Sequence, residues 1–394
     1  MDVQAYIAAK GDLSFEELKG DLRKAPLYLE VRDKDDLFTL MFSKDSPADH
    51  PVVRQSVGPV FDKAHRRLRA YALARTDEVV LDGPDAAEPA ASLPGFLQND
   101  WQAAKCVKYV EGTKVTVYCY QGKWRISTTR ALDACQSFWG SQKSFGQMFL
   151  EACALLHPGL ASQLSGQVQG SDGPLDTTAS YVFILSTPEH RFIQAIKSPS
   201  ILHVATFDLD ALQYKAVDIG VPQQSIQPFA TPEDFRRHII SSSEQEPTDA
   251  GFLVMHGERR VRVMARAYKY IQGLRGHTPN QVHHYLEMRQ GDDYLAFHGL
   301  LYFYPEFGVV QVWVERAIHD LARLIHQLYV KFFIEHSARP HLDKTLFVTL
   351  MQVHAEYRRT HRKRTLPLIY SHLTVLPAPI LLRLLTLDGR QSAL

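Results

Sequence analysis

The sequence predicts an α+β protein, with an antiparallel-sheet region to about residue 275 and a helical region over 276–394. Two observations carry this. Short β-rich runs with period-two alternation, separated by turn residues, recur between residues 27 and 265. Beyond Gly276 the apolar spacing becomes helical and the segments lengthen.

In the sheet region, Ser14 with Glu17 forms a capping box that opens a helix through Leu22. The runs L-Y-L-E-V-R (27–32) and L-F-T-L-M-F (37–42) form a hairpin around a charged turn, and 57–74 is extended. Ala, Pro, Asp and Gly concentrate in 81–97 and mark a surface loop. Three strands follow at 106–110, 114–120 and 124–127, with Gln121-Gly122 turning the second into the third. Val115, Val117 and Cys119 share a core face; Lys114, Thr116, Tyr118 and Tyr120 share a wetter one.

Ser144 with Gln147 opens a helix whose apolar residues are Phe145, Met148, Phe149, Cys153 and Leu156. After a Gly/Ser/Asp loop at 165–173, three runs read as strands: Y-V-F-I-L-S, R-F-I-Q-A-I and I-L-H-V-A-T-F. Thr231-Pro232 caps a helix to Ile240, and 251–255 pairs with 260–265 as a hairpin. In the helical region Thr278-Pro279 caps one helix. A long amphipathic helix at 312–335 carries a stripe of Val314, Ala317, Ile318, Leu321, Ile325, Leu328 and Phe332. That stripe packs into a core or buries a partner chain. A helix over 343–358 runs into R-R-T-H-R-K-R, and Pro377 and Pro379 bracket the start of the last helix.

Composition sets limits on function. Hydrophobic content of 45% and charged content of 22% are those of a globular protein, and a formal charge of +1 provides no global field for nucleic acid or membrane. Any binding face must be local, such as the cations Arg358, Arg359, Arg362, Lys363 and Arg364, which suit RNA phosphates or a solvated helix end. Four cysteines without C-x-x-C spacing are expected in the core as reduced thiols, which points to the cytoplasm or nucleus. No signal peptide is expected, nor an apolar window of about 18 residues to span a membrane. The histidines lack H-E-x-x-H spacing, so no histidine metal site is expected.

The stretch K-C-V-K-Y-V-E-G-T (105–113), followed by alternating strands and S-T-T-R ending at Arg130, is where the motifs begin. F-I-L-S-T-P-E-H-R (183–191), A-G-F-L-V (250–254), V-R-V-M (261–264) and Y-I-Q-G-L-R-G-H-T-P-N (270–280) follow it. In this order they resemble the motifs of phage-type ATP-dependent RNA ligases, within the covalent nucleotidyltransferases and closest to ligase-like proteins of large DNA viruses. The resemblance runs from about Pro51 to the C-terminal helices. It implies a nucleotidyltransferase (ATP-grasp-like RNA/DNA ligase) domain, ATP with Mg²⁺ in active members, an RNA partner, and possible association with a virion.

In that family a lysine in K-x-D/E-G attacks the α-phosphorus of ATP, which requires a neutral amine, carboxylates for Mg²⁺ and cations for the transferred phosphate. Here Tyr109 stands three before Gly112 and Lys108 one residue early, on the opposite face of an extended segment unless a bulge restores the register. Ile184 and Ala250 replace the two motif glutamates, with Asp249 one residue early. Arg262 and Met264 replace the paired lysines, and Val57 stands at an upstream arginine.

Three readings follow. The first is a ligase-like protein with degenerate motifs that binds RNA or nucleotide through Glu111, Gly112, Arg130, Arg262 and the 358–364 run. The second is an active RNA ligase with Lys108 as nucleophile, Asp249 and Glu111 as metal ligands, and Arg262 at the phosphates. The third is a viral structural or scaffolding protein that keeps the fold for its surface and meets a protein partner through the C-terminal helices. Trp124, Tyr118 and Tyr120 are stacking candidates for a base or else packing residues.

Overall fold

The computed structural model describes residues 2–81, 93–166, 173–276, 278–337 and 342–387. The expected loops therefore lie largely outside the described residues, at 82–92 and 167–172. At the end of the first, Gly95–Asn99 is a short helix rather than loop. The fold is α+β and divides into two compact units between Tyr270 and Ile271.

Three sheets build the first unit. A meander of β1 (Leu29–Lys34), β2 (Leu37–Phe42), β3 (Val57–Asp62) and β4 (Leu68–Ala70) forms one, with the predicted hairpin as its first pair. Helix Phe15–Arg23 carries the capping box read in the sequence, and its Leu18 and Leu22 are buried in the core on this sheet.

The other two sheets contain β5 (Thr76–Leu81), β6 (Lys105–Lys108), β7 (Thr113–Tyr120), β8 (Lys123–Thr128), β9 (Ala179–Ser186), β10 (Ser200–Asp208), β11 (Gln213–Lys215), β12 (Phe252–His256) and β13 (Arg259–Ala265). Their orders are β11-β10-β9-β7-β8 and β5-β13-β12-β6. Two corrections follow. β6 does not continue into β7 within one sheet, because its ladder partner is β12. The sheets are not wholly antiparallel, since β5 pairs parallel with β13. β5 escaped the sequence reading because an edge strand beginning Thr76-Asp77-Glu78 has the charged residues that protect sheet edges.

Helix Phe145–Leu156 packs on the second sheet through Phe149 and Cys153, with Val115, Val117 and Phe183 beneath it. Leu156, expected in that stripe, is exposed at the helix end, and Cys135 is an exposed free thiol rather than a core residue. The opposite face of β7 is drier than expected: Tyr118 is fully buried against Leu37, Val60 and Ala70 of the meander. Helix Pro232–Gln245 runs five residues past Ile240 and buries Phe235 and Ile239 over the third sheet.

The run 191–196 is not a strand. Ile193 and Gln194 direct their amides to the Glu111 carboxylate instead of a ladder.

The second unit is helical. Its helix Gln281–Gln290 is capped by the Asn280 side chain, which accepts from His283 N at 2.9 Å, rather than by Thr278. The long helix Glu306–Tyr329 continues as one π-helical turn, Val330–Ile334, and buries Val314, Ala317, Ile318, Leu321 and Ile325 within the unit. A partly buried network fixes this helix: Glu315 accepts from Arg289, Tyr285 and Tyr370. No helix among the described residues is long and apolar enough to cross a membrane.

Candidate functional site

The polar groups collect where β6 ends and β12 begins. Tyr109 N donates to Gly251 O at 2.9 Å, so the backbone keeps its extended register and no bulge intervenes. Alternation then sends Lys108 and Tyr109 to opposite faces. The Lys108 ammonium lies 2.5 Å from Asp249 Oδ2 and 5.0 Å from the centroid of the Phe252 ring. Tyr109 turns to the other side, where the Arg262 guanidinium lies 3.7 Å from its ring centroid.

Arg262 is buried between Tyr109 and Tyr268, whose ring centroid is 4.7 Å away, and donates to Ala250 O at 3.3 Å. Tyr268 sits in the helix that begins directly after β13. Its hydroxyl donates to Glu111 Oε1, and burial pushes that phenol far up, so it stays protonated as the donor. Glu111 Oε2 accepts from Gln194 N at 2.9 Å and Ile193 N at 3.2 Å. Both Glu111 oxygens are thus engaged inside the protein. Gly112 is needed for close approach, because a Cβ there would lie 2.5 Å from Leu185 O and from Ile184 Cγ2.

Lys108 and Asp249 also line an open cleft of about 470 Å³ with Arg191, Gln194, Glu246 and Thr248. A larger cavity of about 730 Å³ shares none of these residues; Tyr71, Phe207, Tyr214, His256 and Glu258 line part of it. The position of the motifs, not volume, makes the smaller cleft the ligase-like candidate.

Arg130 does not join these groups. It is exposed beyond β8, at the edge of the second sheet, and its carbonyl accepts from Arg32. The stacking candidates are largely packing residues: Tyr118 is buried, and Trp124 packs on the core of the second sheet. In the second unit the basic run is broken by His361, which ends helix Lys344–Thr360 in a left-handed conformation. Arg358, Arg359, Arg362 and Lys363 are exposed. Arg364 is buried against Glu356 at 3.2 Å, which corrects its reading as a phosphate ligand.

The residues fit a Mg²⁺ ion poorly. Asp249 Oδ1 accepts from Gly251 N and its Oδ2 holds Lys108, while Glu111 is engaged as above. Among the described residues no three His, Cys, Asp or Glu side chains converge as a metal-binding group. The cleft itself holds both signs, Lys108 and Arg191 beside Glu246 and Asp249.

Two further cations, outside the lining of this cleft, were not read as site residues. Lys114 on β7 is partly buried, and Arg260 lies two residues before Arg262 on the same face of β13. Burial of the amine, with like-charged Arg260 nearby, brings Lys114 from 10.5 down to about 7. The alternation of R-R-V-R was the available signal for Arg260; for Lys114 alternation gave the face but not the neighbours, which come from other strands.

The sign for stability follows from that depression. The unfolded chain holds the Lys114 proton up to its ordinary pKa and the folded chain releases it earlier, so this group favours folding increasingly as pH rises from about 7 to 10.5. Lys114→Met is expected to raise Tm at about pH 6 and to lose that advantage by about pH 10. Scanning calorimetry across that range checks it; a Tm gain independent of pH contradicts it.

No family model matches the chain. It is 21% identical over 379 residues to a protein of Invertebrate iridescent virus 6 described as an immediate-early protein ICP-46 homolog, covering 92% of this chain and 80% of that protein. A protein of Invertebrate iridescent virus 3 with the same description is 23% identical over 223 residues, covering 56% of this chain and 48% of the relative. Among solved structures, one titled archaeal ATP-dependent RNA ligase, form 1, is 9% identical with a TM-score of 0.43, covering 76% of this chain and 72% of that one.

Proposed function

We propose that this is an RNA-ligase-like viral protein that binds RNA or nucleotide without ordinary ligase activity. The observation that carries the reading is the side-chain exchange at the end of β6. Tyr109 holds the position from which a lysine would attack ATP, and it is stacked on Arg262, while Lys108 points to Asp249 on the other face. The engagement of both oxygens of Glu111 and the apolar residues Ile184 and Ala250 at the motif carboxylate positions support the same reading. Adenylylation needs a nucleophile in line with the α-phosphorus and charge neutralisation on the phosphates, each worth several kcal/mol.

RNA would be held through phosphates by the exposed cations Arg358, Arg359, Arg362 and Lys363. Filter binding of single-stranded RNA over a salt series tests this. Replacing those four residues by glutamine is expected to weaken binding and to flatten the salt slope by roughly one per lost contact. Unchanged affinity and slope would reject this surface. Action inside the cell, in a reducing compartment, belongs to the same proposal.

One observation favours the active-enzyme reading as the second choice: Lys108 remains half-exposed in an open polar cleft with Asp249. ATP with Mg²⁺ would then be its cofactors.

A further inference from the structure

We propose that Lys114 of β7 and Arg260 of β13 form a metal-independent site for the phosphate groups of an oligophosphate ligand. The inference does not depend on RNA binding by the second unit.

Arg260 is 9% exposed, and its Nη1 has no hydrogen-bond partner. Its guanidinium lies 5.5 Å from the ring centroid of Tyr214, a residue that lines the cavity of about 730 Å³. On the same face of the strand, Arg262 Nε is also buried without a partner. Lys114, the charged neighbour that Arg260 repels, forms no ion pair among the described residues, and neither does Arg260. Buried donors and cations without acceptors are costly, and proteins keep them where a ligand supplies the missing charge.

The strand register shows why the counter-charge is missing. Lys114 pairs directly with Ile184 of β9. Directly opposed residues hold their Cβ atoms about 5 Å apart, close enough for a carboxylate at 184 to reach the lysine. An isoleucine there supplies the lysine with no counter-charge. An oligophosphate carries several charges and many acceptor oxygens, so it meets both cations and the orphaned donors without a divalent ion. Burial and Arg260 hold the Lys114 pKa at about 7 in the free protein, so anion binding above that pH should draw in a proton.

Isothermal titration of the full chain with inorganic tripolyphosphate in EDTA tests the site. Binding is expected without Mg²⁺, with proton uptake at about pH 8 visible as heats that depend on the buffer. Lys114→Gln and Arg260→Gln should each weaken it by about tenfold or more. Ile184→Glu should do the same by placing a carboxylate opposite Lys114. Lys123→Gln, at an exposed position of β8, should bind as the parent does. No binding in EDTA, binding only with Mg²⁺, or parental affinity in folded Lys114→Gln and Arg260→Gln proteins overturns the proposal. Tripolyphosphate binding in a protein that fails to bind RNA would reject the RNA reading and leave this site standing.

Discussion

Replacing Glu111 by alanine is expected to destabilise the first unit by roughly 3–5 kcal/mol, because it orphans three donors at once, two of them buried. The carboxylate is 8% exposed and accepts from Ile193 N, Gln194 N and the Tyr268 hydroxyl. It therefore ties the 191–196 segment and the helix after β13 to the start of β7. Each lost bond to a charged acceptor is worth about 1.5–3 kcal/mol, partly recovered where water enters. Urea unfolding with a tyrosine or tryptophan probe gives the number. A loss below about 1 kcal/mol would mean that the network is dispensable.

Gly251→Ala is expected to have a comparable effect through sterics alone. At φ +78° the residue occupies the left-handed region, and an added Cβ would lie 2.1 Å from Val263 O and 2.9 Å from Met264 Cα. These are backbone atoms of β13, so relief requires opening the β12–β13 ladder where Phe252 pairs with Val263. Left-handed strain costs about 1–2 kcal/mol and forced displacement about 1–3 more. The same glycine accepts from Tyr109 N, so the end of β6 should loosen with it. Faster amide exchange at Tyr109 than elsewhere on β6 would report this; unchanged protection there would contradict it.

Local signals were legible where the physics is local. Capping at Ser14, Ser144 and Thr231 and the hairpins at 29–42 and 252–265 depend on neighbours a few residues away, and these were read correctly. The Lys108/Tyr109 alternation was legible too, because period two is a property of the backbone. What could not be read depends on distant partners. Glu111 meets Gln194, 83 residues on, and Tyr268, 157 residues on, so the sequence shows an acid beside a glycine and not a structural hub. The run 191–196 has strand composition, but its amides are claimed by that same carboxylate. Arg364 counts as one more cation in a basic run until the helix end folds it against Glu356. Lys114 reads as one alternating strand residue until β9 and β13 supply an isoleucine and an arginine as neighbours.

The side-chain exchange between Lys108 and Tyr109 is the ground on which we propose that this protein lacks nucleotidyl transfer. The most direct test is incubation of the full chain with α-labelled ATP and Mg²⁺ or Mn²⁺, followed by denaturing electrophoresis. No label is expected on the protein under either metal. Label that appears on the parent chain and is abolished by Lys108→Ala would contradict it.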